Sequence, residues 1–205
     1  MNMIRLTYLV AAAALAGMIG SCSADAAPAV GKPAPGFSAT DTSGKTWSLD
    51  DLKGRAVILE WTNHECPYVA KHYGSGNMQR LQREAVAAGY VWLSVISSAP
   101  GKEGQVGAAR ADELSASRHA TPTAVLLDPE GIVARAYGAR TTPHMFVIDE
   151  QGVLVYMGGI DNRPTANPAD LEGADNYVRE ALADRAAGRP VGKAVTRPYG
   201  CSVKY

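Results

Sequence analysis

The sequence predicts an α/β fold, a central mixed sheet flanked by helices, with an N-terminal β-hairpin. Two observations predict it. Apolar runs of strand length at residues 55–61, 90–96 and 123–127 alternate with segments of helical period. That order builds parallel strands with helices on both faces. Later, Asp149-Glu150-Gln151-Gly152 separates two short apolar runs, which adds an antiparallel hairpin at one edge.

In order, residues 37–40 and 45–49 flank the turn Asp41-Thr42-Ser43-Gly44 and read as the first hairpin. Residues 50–54 form a short turn or helix. Residues 55–61 are a strand of buried type that runs into the polar stretch before Cys66, and a helical pattern follows Cys66. Positions 78, 81, 82 and 85 have helical spacing, and Gly89 ends that helix. Residues 90–96 are the next strand, 97–105 a loop holding Pro100, Gly101 and Gly104, and 108–118 an exposed helix. A strand at 123–127 ends in the turn Asp128-Pro129-Glu130-Gly131, and 132–137 form a helical turn. The late hairpin uses 145–148 and 153–157, and 174–187 are the last helix.

The chain begins as a secretory signal does. Arg5 is followed by the apolar stretch 6–19, shorter than the roughly 20 residues a spanning helix needs. Two cleavage routes compete within residues 1–26. Ala24-Asp25-Ala26 fits the small-x-small rule and leaves Ala27 first. Ile19-Gly20-Ser21-Cys22 resembles a bacterial lipobox, in which the signal ends before Cys22 and a lipidated Cys22 anchors the protein to a membrane. Both routes place the protein in the cell envelope, periplasmic or exported, where disulfides persist. Residues 27–35 hold three prolines and read as a tether, 36–190 as one domain, and 191–205 as a C-terminal tail. The 20 basic and 20 acidic side chains cancel without a basic stripe, which argues against a nucleic-acid partner.

Of the three cysteines, Cys22 is either removed with the leader or lipidated, which leaves Cys66 and Cys201 for redox work. Cys66 stands at a strand-to-helix corner. The first N–H groups of a helix are unpaired and its dipole is positive there, so a thiolate is favoured. Pro67 suits the first helical position, where its missing N–H costs nothing. The thiolate is the nucleophile, so the corner makes a reactive cysteine. The competing reading is a small buried hydrophobe, against which the polar lead-in Asn63-His64-Glu65 argues. The phosphate-loop, metalloprotease and serine-hydrolase patterns do not occur.

Three segments resemble one family. Trp61-Thr62-Asn63-His64-Glu65-Cys66-Pro67-Tyr68-Val69 carries the corner. Arg140-Thr141-Thr142-Pro143-His144-Met145-Phe146-Val147-Ile148-Asp149 is similar to the thioredoxin-fold loop whose cis-proline faces the active cysteine. Tyr199-Gly200-Cys201-Ser202-Val203-Lys204-Tyr205 looks like a Gly-Cys-x-(Ile or Val)-Lys-aromatic tail. Over roughly residues 30–205 the chain resembles thioredoxin-fold redoxins of the peroxiredoxin-like branch, the alkyl hydroperoxide reductase and thiol-specific antioxidant superfamily. The resemblance implies a thioredoxin-like fold, a thiol oxidoreductase with antioxidant activity, and a cis Thr142–Pro143 bond. It departs from two patterns. Val69 stands where a C-x-x-C pair has its second cysteine. Leu59 and Asn63 stand where P-x-x-x-T-x-x-C has its proline and threonine.

The site expected on these grounds comprises Cys66 as redox nucleophile and Cys201 as resolving thiol, with Asn63, His64, Arg140, Thr142 and Pro143 around them. A structural disulfide or an idle tail thiol are the other readings of Cys201. His64 is a candidate proton donor or a solvated loop histidine, and Arg140 reaches the thiolate or forms a structural ion pair. Lys71, one to two turns past Cys66 like His72, reads as a surface charge, and Tyr68 packs beside the thiol. The chemistry resides in the thiols and needs no organic cofactor. Its partners are a peroxide or disulfide substrate and a thiol reductant protein. The alternative is a non-catalytic envelope lipoprotein that binds a protein, or a copper or zinc ion through Cys66, His64 and His144.

Overall fold

A computed structural model describes residues 27–205; the leader, with both cleavage routes and Cys22, lies outside them. The strands are β1 (Ser38–Asp41), β2 (Thr46–Ser48), β3 (Val57–Trp61), β4 (Val91–Ile96), β5 (Ala124–Leu127), β6 (Thr141–Thr142), β7 (His144–Ile148), β8 (Leu154–Gly158) and β9 (Cys201–Ser202). The helices are α1 (Pro67–Gly74), α2 (Asn77–Ala87), α3 (Ala108–Ser117), α4 (Ile132–Ala136) and α5 (Tyr177–Ala186). Seven strands form one sheet in the order β2-β1-β5-β4-β3-β7-β8, while β6 and β9 form a separate ribbon. β3, β4 and β5 are parallel, and β7 and β8 extend the sheet antiparallel beside β3. The expected mixed sheet, its two hairpins and its helices are therefore present.

The first hairpin is closed by Asp41. Its Oδ1 accepts from the Ser43 and Lys45 N–H groups at 2.8 and 3.0 Å, and its Oδ2 from the Trp47 indole at 2.8 Å. A short acidic side chain that bonds its own backbone two residues on is what makes Asp a turn former.

β3 is buried along its whole length, so its side chains alternate between two cores. Val57, Leu59 and Trp61 face Val133, Ala134 and Tyr137 around α4, together with Phe146 and Ile148. Ile58 faces the other way. There Cys66, Val69 and Tyr73 of the α1 region, Met78, Leu81 and Ala85 of α2, and Val178 and Ala181 of α5 pack with Trp92, Met145 and Val147. Burying each large aliphatic side chain stabilises by about 1.5–3 kcal/mol, and the sheet places its central strand between two such layers.

Three segments differ from expectation. Residues 31–34, read as a tether, are docked: Gly31 and Ala34 donate to the Leu154 and Gly152 carbonyls at 2.8 Å, and Leu154 donates to Lys32 at 2.9 Å. The last helix begins at Tyr177 because Asn176 caps it, its side chain accepting from the Arg179 N–H at 2.9 Å. The tail is bound to the domain from both directions. Residues 194–196 pair along β8, and Val203 and Lys204 bond the Arg140 carbonyl and the Ala99 N–H at 3.0 and 2.8 Å.

Candidate active site

Cys66 is the N-cap residue of α1, with φ −76° and ψ 121°, and Pro67 takes the first helical turn. The loop before it is built by Asn63. Its Oδ1 accepts from the Glu65 N–H at 2.9 Å, and its carbonyl accepts from the Cys66 N–H at 3.2 Å. The Asn63 side chain is buried against Gly104, where a Cβ would overlap it. Glu65 reaches the same loop by accepting from the Gly104 N–H at 2.5 Å. The corner is thus shaped by Asn63 and Glu65.

The facing wall is the Thr142–Pro143 segment, whose peptide bond is cis. The Cys66 thiol donates to the Thr142 carbonyl at 3.1 Å. Thr142 is also where the tail lands: β9 pairs antiparallel with β6 in the register Thr142 to Cys201 and Thr141 to Ser202. Gly200 lets the chain approach this closely. Its φ is +130°, and a Cβ there would overlap the Thr142 carbonyl oxygen. Both free thiols of the described chain therefore meet at Thr142, Cys66 fully buried and Cys201 partly so.

Burial pushes the Cys66 thiol up. Hydrogen bonds to its sulfur from the Cys201 thiol, the Thr142 side chain and the Cys201 and Val69 backbone outweigh burial, and the net direction is downward. Cys201 moves the opposite way, pushed up to about 12 by burial first and by its bond to Cys66 second. The two shifts run in opposite directions, which makes Cys66 the thiol favoured as thiolate. The expected outcome is that ultraviolet thiolate absorbance of Cys66 titrates below the free-thiol value of about 8.5. Cys201→Ala, which removes the largest favourable donor, moves that titration upward. An unchanged midpoint in Cys201→Ala would show that the tail thiol does not set it.

Two buried polar clusters flank this site. In the first, Glu60 of β3 is fully buried and points among apolar side chains. Its Oε1 accepts from the Tyr73 hydroxyl at 2.8 Å. Its Oε2 accepts from the Trp92 indole and the Ser94 hydroxyl, both at 2.8 Å, and from the Gln82 amide at 3.2 Å. In the second, Lys71 and His72 of α1 are buried beside Asp161 and Tyr199. Lys71 was expected as a surface charge and is instead one of the most buried side chains of the described chain. The helix carries it inward, and its ammonium donates to the Arg163 carbonyl at 2.7 Å. Burial pushes its pKa down, partly opposed by Asp161. Burial, then Lys71, holds His72 down to about 3.

With this geometry in place, known proteins give the context. A family model described as the AhpC/TSA family matches residues 30–157, more than half of the chain. The chain belongs to the AhpC/TSA family. A thioredoxin-like protein, YneN of Bacillus subtilis, is 28% identical over 144 residues, 69% of this chain and 79% of that protein. The thiol-disulfide oxidoreductase ResA of Geobacillus thermodenitrificans is 28% identical over 133 residues, 62% of this chain and 67% of that protein. A crystal structure of a conserved protein from Geobacillus kaustophilus superposes with a TM-score of 0.74 at 26% identity, covering 86% of this chain and 92% of that one. The fold is thioredoxin-like, and the chain is a thioredoxin-fold redoxin.

Within this AhpC/TSA member the residues singled out in the sequence fall into two groups. Cys66, Cys201, Thr142 and Pro143 converge. Asn63 shapes the loop, and its amide donates to Glu103 at 3.4 Å. His64 turns toward a cleft lined by Tyr73 and Arg118, and its charged neighbours are Glu65, Arg118 and Arg110. Burial pushes its pKa down. Arg140 is exposed; its carbonyl holds the tail through Val203, and its N–H donates to His144 Nδ1 at 3.3 Å. Tyr68 packs on Tyr199 at 5.8 Å between ring centroids, in the same core as Cys66. The metal set Cys66, His64 and His144 fails. His144 pairs with Trp61 across β3 and β7 and stacks on Phe146 at 4.4 Å, on the sheet face opposite Cys66. Among the described residues no three His, Cys, Asp or Glu side chains come together to hold a metal ion.

Glu60, Asp161 and Tyr199 escaped the sequence reading. A single acid inside the apolar run Val57-Ile58-Leu59-Glu60-Trp61 was the available signal for the first, since an unpaired buried acid is too costly to persist. Asp161 and Tyr199 carried no such local mark, and they lie beyond the matched segment 30–157.

Proposed function

We propose that this AhpC/TSA member is an exported thiol–disulfide oxidoreductase of peroxiredoxin-like type, with Cys66 as nucleophile and Cys201 as its resolving partner. One observation carries the reading: Cys201 pairs with Thr142, the residue whose carbonyl already accepts from Cys66. The name of the relative ResA, a thiol-disulfide oxidoreductase, supports the same chemistry.

In the cycle, the Cys66 thiolate attacks one sulfur of a substrate disulfide and expels the other as a thiolate. Cys201 then loses its proton and attacks the Cys66 sulfur of the mixed disulfide, expelling the second substrate thiolate. The substrate disulfide gains two electrons and becomes two thiols, and the chain is left with a Cys66–Cys201 disulfide. A peroxide enters the same cycle: Cys66 attacks one oxygen, an alcohol or water leaves, and Cys201 condenses with the sulfenic acid, releasing water. The full burial of Cys66 under the tail favours a small oxidant for this branch. A protein dithiol resets the disulfide in both. The small-x-small and lipobox signals of residues 1–26 support export, and the N-terminal residue of the mature chain, Ala27 or lipidated Cys22, decides the route. No helix of the described residues is long and apolar enough to cross a membrane.

The test treats the reduced chain with one equivalent of oxidised glutathione or of hydrogen peroxide and maps the peptides. The expected product is one Cys66–Cys201 linkage from either oxidant. Cys201→Ser should stop at glutathionylated Cys66 with the first and at Cys66 sulfenic acid with the second. Identical products and rates in wild type and Cys201→Ser would remove the resolving role. A Cys66 inert to both oxidants would remove the oxidoreductase reading.

A further inference from the structure

The tail that carries Cys201 is gripped from beneath by polar groups that the thiol chemistry does not use. The Tyr199 hydroxyl, two residues before Cys201, donates to Asp161 Oδ1 at 2.5 Å. It lies 3.0 Å from His72 Nε2 and 3.3 Å from the Lys71 ammonium. The His72 tautomer follows from its other side, where the Asn77 amide lies 2.9 Å from Nδ1. If that amide donates, Nδ1 is the acceptor and Nε2 carries the hydrogen. His72 Nε2–H and Lys71 then both donate to the Tyr199 oxygen while its own proton goes to Asp161. The hydroxyl has one donor and two acceptor sites, and all three are used.

The charged members of this cluster are buried and short of partners. The Lys71 and Asp161 side chains are 0% and 1% exposed, and those of His72 and Asp161 likewise. Asp161 Oδ2 has no hydrogen-bond partner, with Lys71 Nζ and His72 Nε2 at 4.0 and 3.8 Å. Lys71, His72 and Asn77 belong to α1 and α2, and Asp161 follows β8. Tyr199 is the cluster's only contribution from the tail. Lifting the tail would withdraw the one hydroxyl that meets all three groups. Lys71 and Asp161 would keep their bonds to the Arg163 backbone and His72 its bond to Asn77, but each would lose one buried partner, which is costly.

We propose that Tyr199 is a positioning residue, a latch held by Asp161, Lys71 and His72 that keeps Cys201 at Cys66 and so sets both the redox equilibrium of the pair and access to Cys66. The redox half rests on the pairing proposed above; the access half does not. The Tyr199 ring also stacks on Tyr68 and lies 5.1 Å from the Lys71 ammonium, so the ring seats the tail and the hydroxyl locks it.

Tyr199→Phe keeps the ring and removes only the hydroxyl. Two measurements on the full chain decide the matter. The first is equilibration with a glutathione redox buffer, in which oxidised glutathione takes two electrons from Cys66 and Cys201, the two thiol protons pass to the two glutathione thiolates released, and one disulfide forms in the chain. The second is the rate at which iodoacetamide alkylates Cys66 in the reduced chain, read by peptide mapping. In Tyr199→Phe the pair should become about tenfold harder to oxidise and Cys66 about tenfold faster to alkylate, the scale of one hydrogen bond to a charged group. Val57→Ala, a cut in the opposite core, should lower stability and move neither. If Tyr199→Phe does not fold, Asp161→Asn is read instead, with shifts in the same directions. Unchanged alkylation in the folded variant overturns the latch. A wild-type chain that forms no Cys66–Cys201 disulfide overturns the oxidoreductase pairing instead, and the alkylation ratio still decides the latch.

Discussion

Glu60→Leu is expected to destabilise the protein by roughly 3–5 kcal/mol, the range for leaving buried polar partners without their counterpart. The leucine fits the apolar strand, so the cost does not come from volume. It comes from the Tyr73 hydroxyl, the Trp92 indole, the Ser94 hydroxyl and the Gln82 amide, which all donate to this one carboxyl group in a site closed to water. Those donors lie on β4, α1 and α2, so Glu60 ties the central strand to the two helices that follow the active corner. Glu60→Gln keeps the shape and one acceptor oxygen, and should cost about 1–3 kcal/mol, the scale of one buried mismatch. Denaturant unfolding with both midpoint and slope measured checks this. A Glu60→Leu midpoint indistinguishable from wild type would show that the donors find other partners.

Gly200→Ala should slow formation of the Cys66–Cys201 disulfide by about 100-fold or more, the cost typical of a 1 Å misplacement of reacting groups. Gly200 holds φ +130° one residue before Cys201, and its Cα lies so close to the Thr142 carbonyl that an added Cβ would overlap the oxygen. The obstacle is backbone of the cis-proline loop, which has nowhere to move without disturbing the acceptor of the Cys66 thiol. Gly188→Ala serves as control: φ is +66° there and open space surrounds the position, so only the local left-handed cost applies. The rate of linkage in a glutathione buffer, followed by mass, is the readout. Equal rates in Gly200→Ala and wild type would mean that the β6–β9 pairing does not deliver Cys201.

The chain's own order of residues determined the fold class, the mixed sheet with its two hairpins, and the Cys66 corner. These are local properties: alternation of apolar runs with helical spacing, turn residues such as Asp41 and Gly152, and a proline that is tolerated only where a helix begins. The resemblance added the cis Thr142–Pro143 bond and singled out the tail. Tertiary structure alone decided the rest. Lys71 resembles any exposed lysine in sequence, because nothing within a few residues records that Asp161 and Tyr199, 90 and 128 positions later, close over it. His144 stands one residue after the proline that faces Cys66, yet strand alternation sends its ring to the other core. The approach of Cys66 and Cys201 to the same Thr142 depends on an edge pairing of two residues with two, too short to leave a pattern, and on a glycine whose conformation has meaning only against the Thr142 carbonyl. Contacts between distant segments are set by packing in three dimensions, and a one-dimensional pattern carries no trace of them until the chain has folded.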